Sequence, residues 1–345
     1  MTMVRFATWG LALVAGLAML GGCSGGQKAE EPKTAETGKT DEPTKVEGTL
    51  KVALLTPGPV SDSGWSALAY DGLKAIETDL GAEIANQEAK GTQIKDAMRT
   101  YANQGYQLVI GHGFEYNGPG VEISKDFPKT AFVSSSGGET SANAGAFRFY
   151  LEQGFYLAGM MGAMMSKTGT LAMIGGPDVP SIRSTFKAFK AGAEAAKPGI
   201  KVIETFTGSN DDVAAAKKAT ETAIGQGADF VIHQANAGAQ GVFNACKEKG
   251  VMAFGANADQ NSNESGIVVA SAVIVAKPAF LELAKEVQDG TYKGRVDLKG
   301  MDIGAIDFVI NPALKDKVPA EVAAKIEETM GKIKSGELVV PKDEF

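Results

Sequence analysis

From Thr49 onward the chain alternates short apolar runs with longer stretches whose apolar residues recur at helical spacing. The short runs, bounded by turn-forming residues, predict ten strands: 50–55, 83–86, 108–111, 131–134, 146–149, 170–174, 201–206, 230–233, 252–256 and 267–270. The amphipathic stretches between them predict helices over 66–80, 92–104, 151–166, 181–196, 213–226, 239–249 and 277–289. Alternation of this kind predicts an α/β protein, with parallel sheets covered by helices on both faces. The pattern runs twice. Gln104-Gly105 and Gln226-Gly227 each end a helix just before an apolar strand, the Gly supplying the left-handed conformation that closes a helix. Two lobes built on one plan, with a site between them, follow from the repeat; one continuous sheet is the alternative, and about 300 residues is large for a single core.

The segment before Thr49 follows a different pattern. Arg5 precedes an apolar run, 11–20, that is too short for a membrane span and suits the core of an export signal. The run ends in Leu20-Gly21-Gly22-Cys23, which resembles a bacterial lipobox. Small residues there admit a signal peptidase, and the Cys thiol carries a diacylglyceryl thioether. Residues 1–22 are therefore expected to be a lipoprotein signal peptide and Cys23 the lipidated mature N-terminus; a plain signal peptide with an incidental Cys is the alternative. Residues 23–48 carry almost no large apolar side chain and are expected to be a flexible tether. Two or three lipid chains anchor stably, which places the folded part in the cell envelope, at a membrane surface and facing the periplasm or the cell exterior.

Composition narrows the classes. The chain has 345 residues, 44% of them hydrophobic and 22% charged, with a formal charge of −7. That length accommodates two domains, and the acidic balance argues against a nucleic-acid partner. The second cysteine, Cys246, lies in a helical pattern and is expected to be a small buried hydrophobe. His112 and His233 each follow a strand, and neither has the spacing of a zinc site. They lie at equivalent places in the two passes, so both are candidates for facing a cleft or for ordinary strand-end positions. No nucleophile elbow, phosphate loop or dinucleotide fingerprint is present. An enzyme is not expected, nor a metal or cofactor.

The chemistry-bearing residues gather at strand ends. Asp62, Ser63 and Trp65 lie in the loop after the first strand, where open α/β sheets bind ligands. An N-capping acid and a half-buried Trp would account for the same residues. Phe114 and Tyr116 follow the third strand, and Phe186 opens the helix after 170–174. Flat rings on facing lobes suit a flat ligand, with Asp62, Ser63, Asn257 and Asp259 to read its edge. Phe186 also stands at helical spacing from Phe189, which fits a core position equally.

Several motifs in order resemble one known family. The lipobox, GPVSDSGWS (58–66), DGLKAI (71–76), GQGADFVIH (225–233), FGANADQN (254–261) and IKSGELVVP (333–341) are similar to the basic membrane protein family of lipoprotein substrate-binding components of ABC transporters. The resemblance covers 50–345. It implies a type I periplasmic-binding-protein fold, in which two doubly wound parallel-sheet lobes joined by a three-crossover hinge close on a ligand. The lobes are expected at 49–148 plus about 260–300, and at 149–259 plus about 301–345. The resemblance places the family's ligand loop on Asp62, Ser63 and Trp65, and its second stacking aromatic on Phe186. Nucleoside-binding members have Asp-x-Asp-Gln where this chain has Asn257-Ala258-Asp259-Gln260, and a Lys after a Ser-apolar-apolar run that here reads Ser271-Ala272-Val273-Ile274. Both sugar-holding charges are missing, so an uncharged site is expected, favouring a nucleobase over a nucleoside. The implied partners are a purine-like small molecule and ABC permease and ATPase subunits, with the receptor a monomer. A ligand-sensing lipoprotein reporting to a membrane partner, or a receptor for another solute such as a sugar, would share the fold.

Overall fold

The computed structural model describes residues 45–61 and 64–344. Cys23 and most of the expected tether lie outside the described residues, as do Asp62 and Ser63. In chain order the strands are β1 (Lys51–Thr56), β2 (Glu83–Glu88), β3 (Leu108–Gly111), β4 (Ala131–Ser134), β5 (Ala144–Phe149), β6 (Thr170–Gly175), β7 (Lys201–Phe206), β8 (Phe230–Gln234), β9 (Met252–Asn257), β10 (Val268–Ile274), β11 (Val296–Lys299) and β12 (Ile306–Ile310). They form two six-stranded sheets ordered β11-β5-β4-β3-β1-β2 and β12-β10-β9-β8-β6-β7. The two orders are the same plan used twice. Every pairing is parallel except that of β12 with β10, which is antiparallel.

The helices are α1 (Trp65–Leu80), α2 (Gln93–Asn103), α3 (Asn117–Ser124), α4 (Glu152–Met165), α5 (Pro180–Ala196), α6 (Val213–Gly225), α7 (Ala239–Lys249), α8 (Ala276–Gln288) and α9 (Ala320–Lys334). The Gln-Gly stops behave alike in the two lobes. Gly105 and Gly227 have φ of 79° and 102°. Beyond them the Tyr106 and Ala228 N–H groups each reach back 3.1 Å to the carbonyls of Tyr101 and Ala223. Orphan carbonyls at the helix end are satisfied as the chain turns into β3 or β8.

The chain changes lobe three times: between β5 and α4, between β10 and α8, and between β11 and β12. The second change comes later than the expected 260. Strand β10 is hydrogen-bonded to β9 and β12 in the second sheet, so the return begins at Val275, with α8 packing on α1. Contact between α1 and α8 is close because Gly72 lies against the Phe280 ring, where an added Cβ would sit 2.6 Å from a ring carbon.

Helix α4 is buried on nearly every side, between α5, α9 and the second sheet. That explains a sequence, EQGFYLAGMMGAMM, that is apolar all round and not striped. Its approach to α5 is closer than side chains permit. A Cβ on Gly159 would lie 2.0 Å from the Phe189 carbonyl oxygen, and one on Gly192 would lie 1.9 Å from that of Tyr156.

A candidate ligand-binding cleft

Between the lobes is a cleft of about 380 Å³, and the residues that line it come from the carboxyl ends of strands in both sheets. The first lobe contributes Trp65 at the start of α1, Phe114 and Glu115 after β3, Ser135 and Ser136 after β4, and Arg148 of β5. The second contributes Ile182 and Thr185 of α5, Asn210 after β7, Gln234 ending β8, Asn257 ending β9 and Ile274 ending β10. A volume in this range suits a small organic molecule.

Trp65 is held from beneath. Its indole stacks on the His112 imidazole with centroids 3.8 Å apart and planes 23° apart. The indole Nε1–H donates to the His112 carbonyl oxygen at 3.2 Å. His112 is fully buried, so one indole face is covered and the ring is fixed where it borders the cleft.

The other residues expected at the site divide. Phe114, 66% exposed, borders the cleft with Trp65 and Asn257. Tyr116 does not: it is 1% exposed, packs in the first lobe, and donates its hydroxyl to the Ala89 carbonyl at 2.8 Å. Phe186 is also 1% exposed and lies in the core, stacked on Phe206 with centroids 5.5 Å apart. Ile182, Thr185, Phe186 and Phe189 share one face of α5, and Ile182 and Thr185 reach the cleft lining near the start of the helix while the Phe186 and Phe189 rings lie in the core. The expected second stacking ring is therefore absent from the wall opposite Trp65, and Thr185 stands there. Asp259 is exposed and accepts from the Asn261 N–H at 3.0 Å, away from the cleft lining.

Both histidines are buried, and neither lines the cleft. Counted from Gly105 and Gly227, His112 corresponds to Gln234 and not to His233. A strand alternates its faces, so the one-residue offset turns His233 away and brings Gln234 to the lining. The Nδ1 of His233 accepts from the Ala235 N–H at 3.4 Å, which leaves Nε2–H to donate to Gln260 Oε1 at 2.8 Å. Burial holds its pKa down at about 4. Gln260 Oε1 also accepts from the Ala256 N–H at 3.0 Å, and the Gln260 N–H donates to Ser271 Oγ at 3.1 Å. This network fixes the turn that sends Asn257 into the cleft at φ 69°, the one positive φ outside glycine among the described residues. Asn tolerates the left-handed region better than most residues.

The floor of the cleft is charged, contrary to the expectation of an uncharged site. Arg148 and Glu152 form a buried ion pair, 7% and 2% exposed, and both line the cleft. Burial pushes the Glu152 carboxyl above its ordinary value, against the opposing pull of Arg148 and of the Ser184 hydroxyl, which donates to Glu152 Oε1 at 2.5 Å. A lone Arg in the apolar strand AGAFRF, and a lone Glu opening an apolar helix, were the sequence signals for this pair. Ile274 stands where the nucleoside-binding pattern has its Lys, and it lines the cleft.

Two α/β lobes joined by three crossovers, with a ligand-sized cleft at the strand ends, define the type I periplasmic-binding fold. A solved ABC transporter solute-binding protein from Conexibacter woesei superposes with a TM-score of 0.70 at 23% identity, covering 85% of this chain and 99% of that one. The chain belongs to the Bmp family, described as ABC transporter substrate-binding protein PnrA-like, whose model matches residues 49–344. Among relatives, a purine-binding protein of Brucella abortus is 28% identical over 293 residues, 84% of this chain and 82% of its own. The ABC transporter nucleoside-binding protein BmpA of Lactococcus lactis is 26% identical over 314 residues, 84% and 90% of the two chains.

Proposed function

We propose that the protein is a lipid-anchored receptor of an ABC importer, which captures a purine-like ligand in the interlobe cleft and delivers it to permease and ATPase subunits. The observation that carries this is Trp65: an indole backed by His112, bordering a cleft of about 380 Å³ between two lobes. The ligand's flat face stacks on the indole, with Phe114 at the rim and Asn257, Gln234 and the Arg148–Glu152 pair around its polar edge. Asp62 and Ser63, which lie outside the described residues, are included as ligand contacts on the family resemblance of their loop. Asn257 and Ile274, in place of an acid and a Lys, favour a nucleobase over a nucleoside. The name of the Brucella relative supports a purine, and the lipobox at Cys23 supports the anchor.

Calorimetry with purine nucleobases, nucleosides, pentoses and hexoses tests the ligand. A nucleobase is expected to bind tightest; tight binding of a sugar with no response to any purine overturns the purine reading and leaves the receptor reading standing. Replacing Cys23 with Ser is expected to move the protein from the membrane fraction to the soluble fraction.

A further inference from the structure

Behind the cleft floor, four residues from four separate segments close a ring of hydrogen bonds. Arg148 Nη2 of β5 donates to Glu152 Oε1 at the start of α4. Ser184 Oγ of α5 donates to the same oxygen at 2.5 Å. The backbone N–H of Asp343 donates to Ser184 Oγ at 2.9 Å, and the Asp343 carbonyl oxygen accepts from Arg148 Nη1 at 2.9 Å. The ring joins the first lobe, the first crossover, the second lobe and the segment after α9. Two further contacts hold that segment down: the Tyr150 hydroxyl donates to the Val340 carbonyl, and Lys187 pairs with the Asp343 carboxylate. Val340 itself is buried in the main core.

We propose that the segment Val340–Asp343 is a working part of the ligand site: through Ser184 and its own backbone it positions Arg148 and Glu152, which read the polar edge of the ligand. The proposal rests on the receptor reading above. A guanidinium and a carboxylate side by side offer donors and an acceptor, which match a ligand edge that carries both. Each has only a few orientations that keep the pair intact in so buried a place, and a carboxylate with a single partner would swing. Ser184 and the Asp343 backbone fix both ends of the pair, so the charges meet the ligand already oriented and less ordering is left to the binding step. Ser184 and Asp343 are positioning residues here, and Arg148 and Glu152 the ones that contact ligand.

Three full-length variants test this: S184A, D343P and K187A. S184A removes the hydroxyl at the centre of the ring. D343P removes the N–H that bonds Ser184 while leaving the buried Val340 anchor. K187A cuts the exposed ion pair to the tail and leaves the ring whole. Affinity is read on adenine and hypoxanthine against unsubstituted purine, which lacks the polar group at the 6-position. S184A and D343P are each expected to weaken the first two by about tenfold, the scale of one hydrogen bond to a charged group, and to weaken unsubstituted purine far less. The double variant is expected to lose little beyond either single one, because the ring acts as a unit. K187A is expected to bind as the parent does. Equal losses across all three ligands, or unchanged affinity in both ring variants, overturn the proposal. If the parent protein binds no purine, the ligand reading above fails on its own, and amide hydrogen exchange decides this one: faster exchange around 148–152 in S184A and D343P but not in K187A supports it, and unchanged exchange overturns it.

Discussion

Trp65 offers a ligand one face of an indole whose other face is already spoken for by His112. Such a platform loses little freedom on binding, so replacing Trp65 with Ala is expected to cost about 1–3 kcal/mol of affinity in calorimetry. Phe186 is the contrast. Its ring packs on Phe206 in the core, so F186A is expected to lower unfolding stability by about 3–5 kcal/mol while leaving no stacking partner missing from the cleft. His233 carries a pH signature. Its pKa falls from 6.5 in the unfolded chain to about 4 in the folded one, so between these values the unfolded state binds the extra proton. Stability is therefore full above the unfolded value and falls with pH through that window, by about 3 kcal/mol in all. Urea unfolding at neutral pH and at about pH 4.5 should show this fall, and H233Q should flatten it. At this scale the sequence was legible where a residue announces its role by chemistry and position together. Trp65 and Asn257 were picked out this way, and both border the cleft. Phe186 and Thr185 are neighbours on α5, about 100° apart, and periodicity alone did not say which of them reaches the cleft lining. Arg148 and Glu152 went unread because an apolar strand and an apolar helix drew attention to their apolar residues.

At the scale of elements, legibility followed burial pattern. Strands β1 to β10 were read from the sequence, most of them as buried apolar runs, although the edge strands β2, EIANQE, and β7, KVIETF, are partly or largely uncovered; β11, VDLK, is likewise a partly exposed edge strand and β12, IDFVI, is interrupted by Asp307. Helix α3, NGPGVEIS, contains two Gly and a Pro and looks like a loop; tertiary packing around Ile123 overrides that preference. Helix α9 is not among the helices read from the sequence, although Val322, Ile326, Thr329 and Ile333 are buried at helical spacing. The contact between α4 and α5 depends on two glycines and leaves no slack. G192A would drive a methyl group to within 1.9 Å of the Tyr156 carbonyl, forcing the helices apart. A loss of about 3 kcal/mol is expected in chemical denaturation, against near-neutrality for alanine at Gly225, where nothing lies within 4 Å.

For the whole molecule, three crossovers connect the two lobes, and closure on a ligand belongs to the receptor reading proposed above. A ligand that touches both lobes favours the closed form by its difference in affinity for the two. Small-angle scattering should therefore show a smaller radius of gyration with ligand than without, and the W65A protein should need more ligand for the same change. The packing of Phe280 against Gly72 bears on something else, the order in which the protein is made. The first lobe begins at β1 but needs α8 and β11, both translated after all but one strand of the second sheet. A chain made N-terminus first would thus carry an unfinished first lobe, with the Gly72 face of α1 uncovered, until most of the second lobe had followed it. The lobe that begins first is the one whose sheet and helix layer must wait, which gives a chaperone a defined surface to protect and a defined moment to let go.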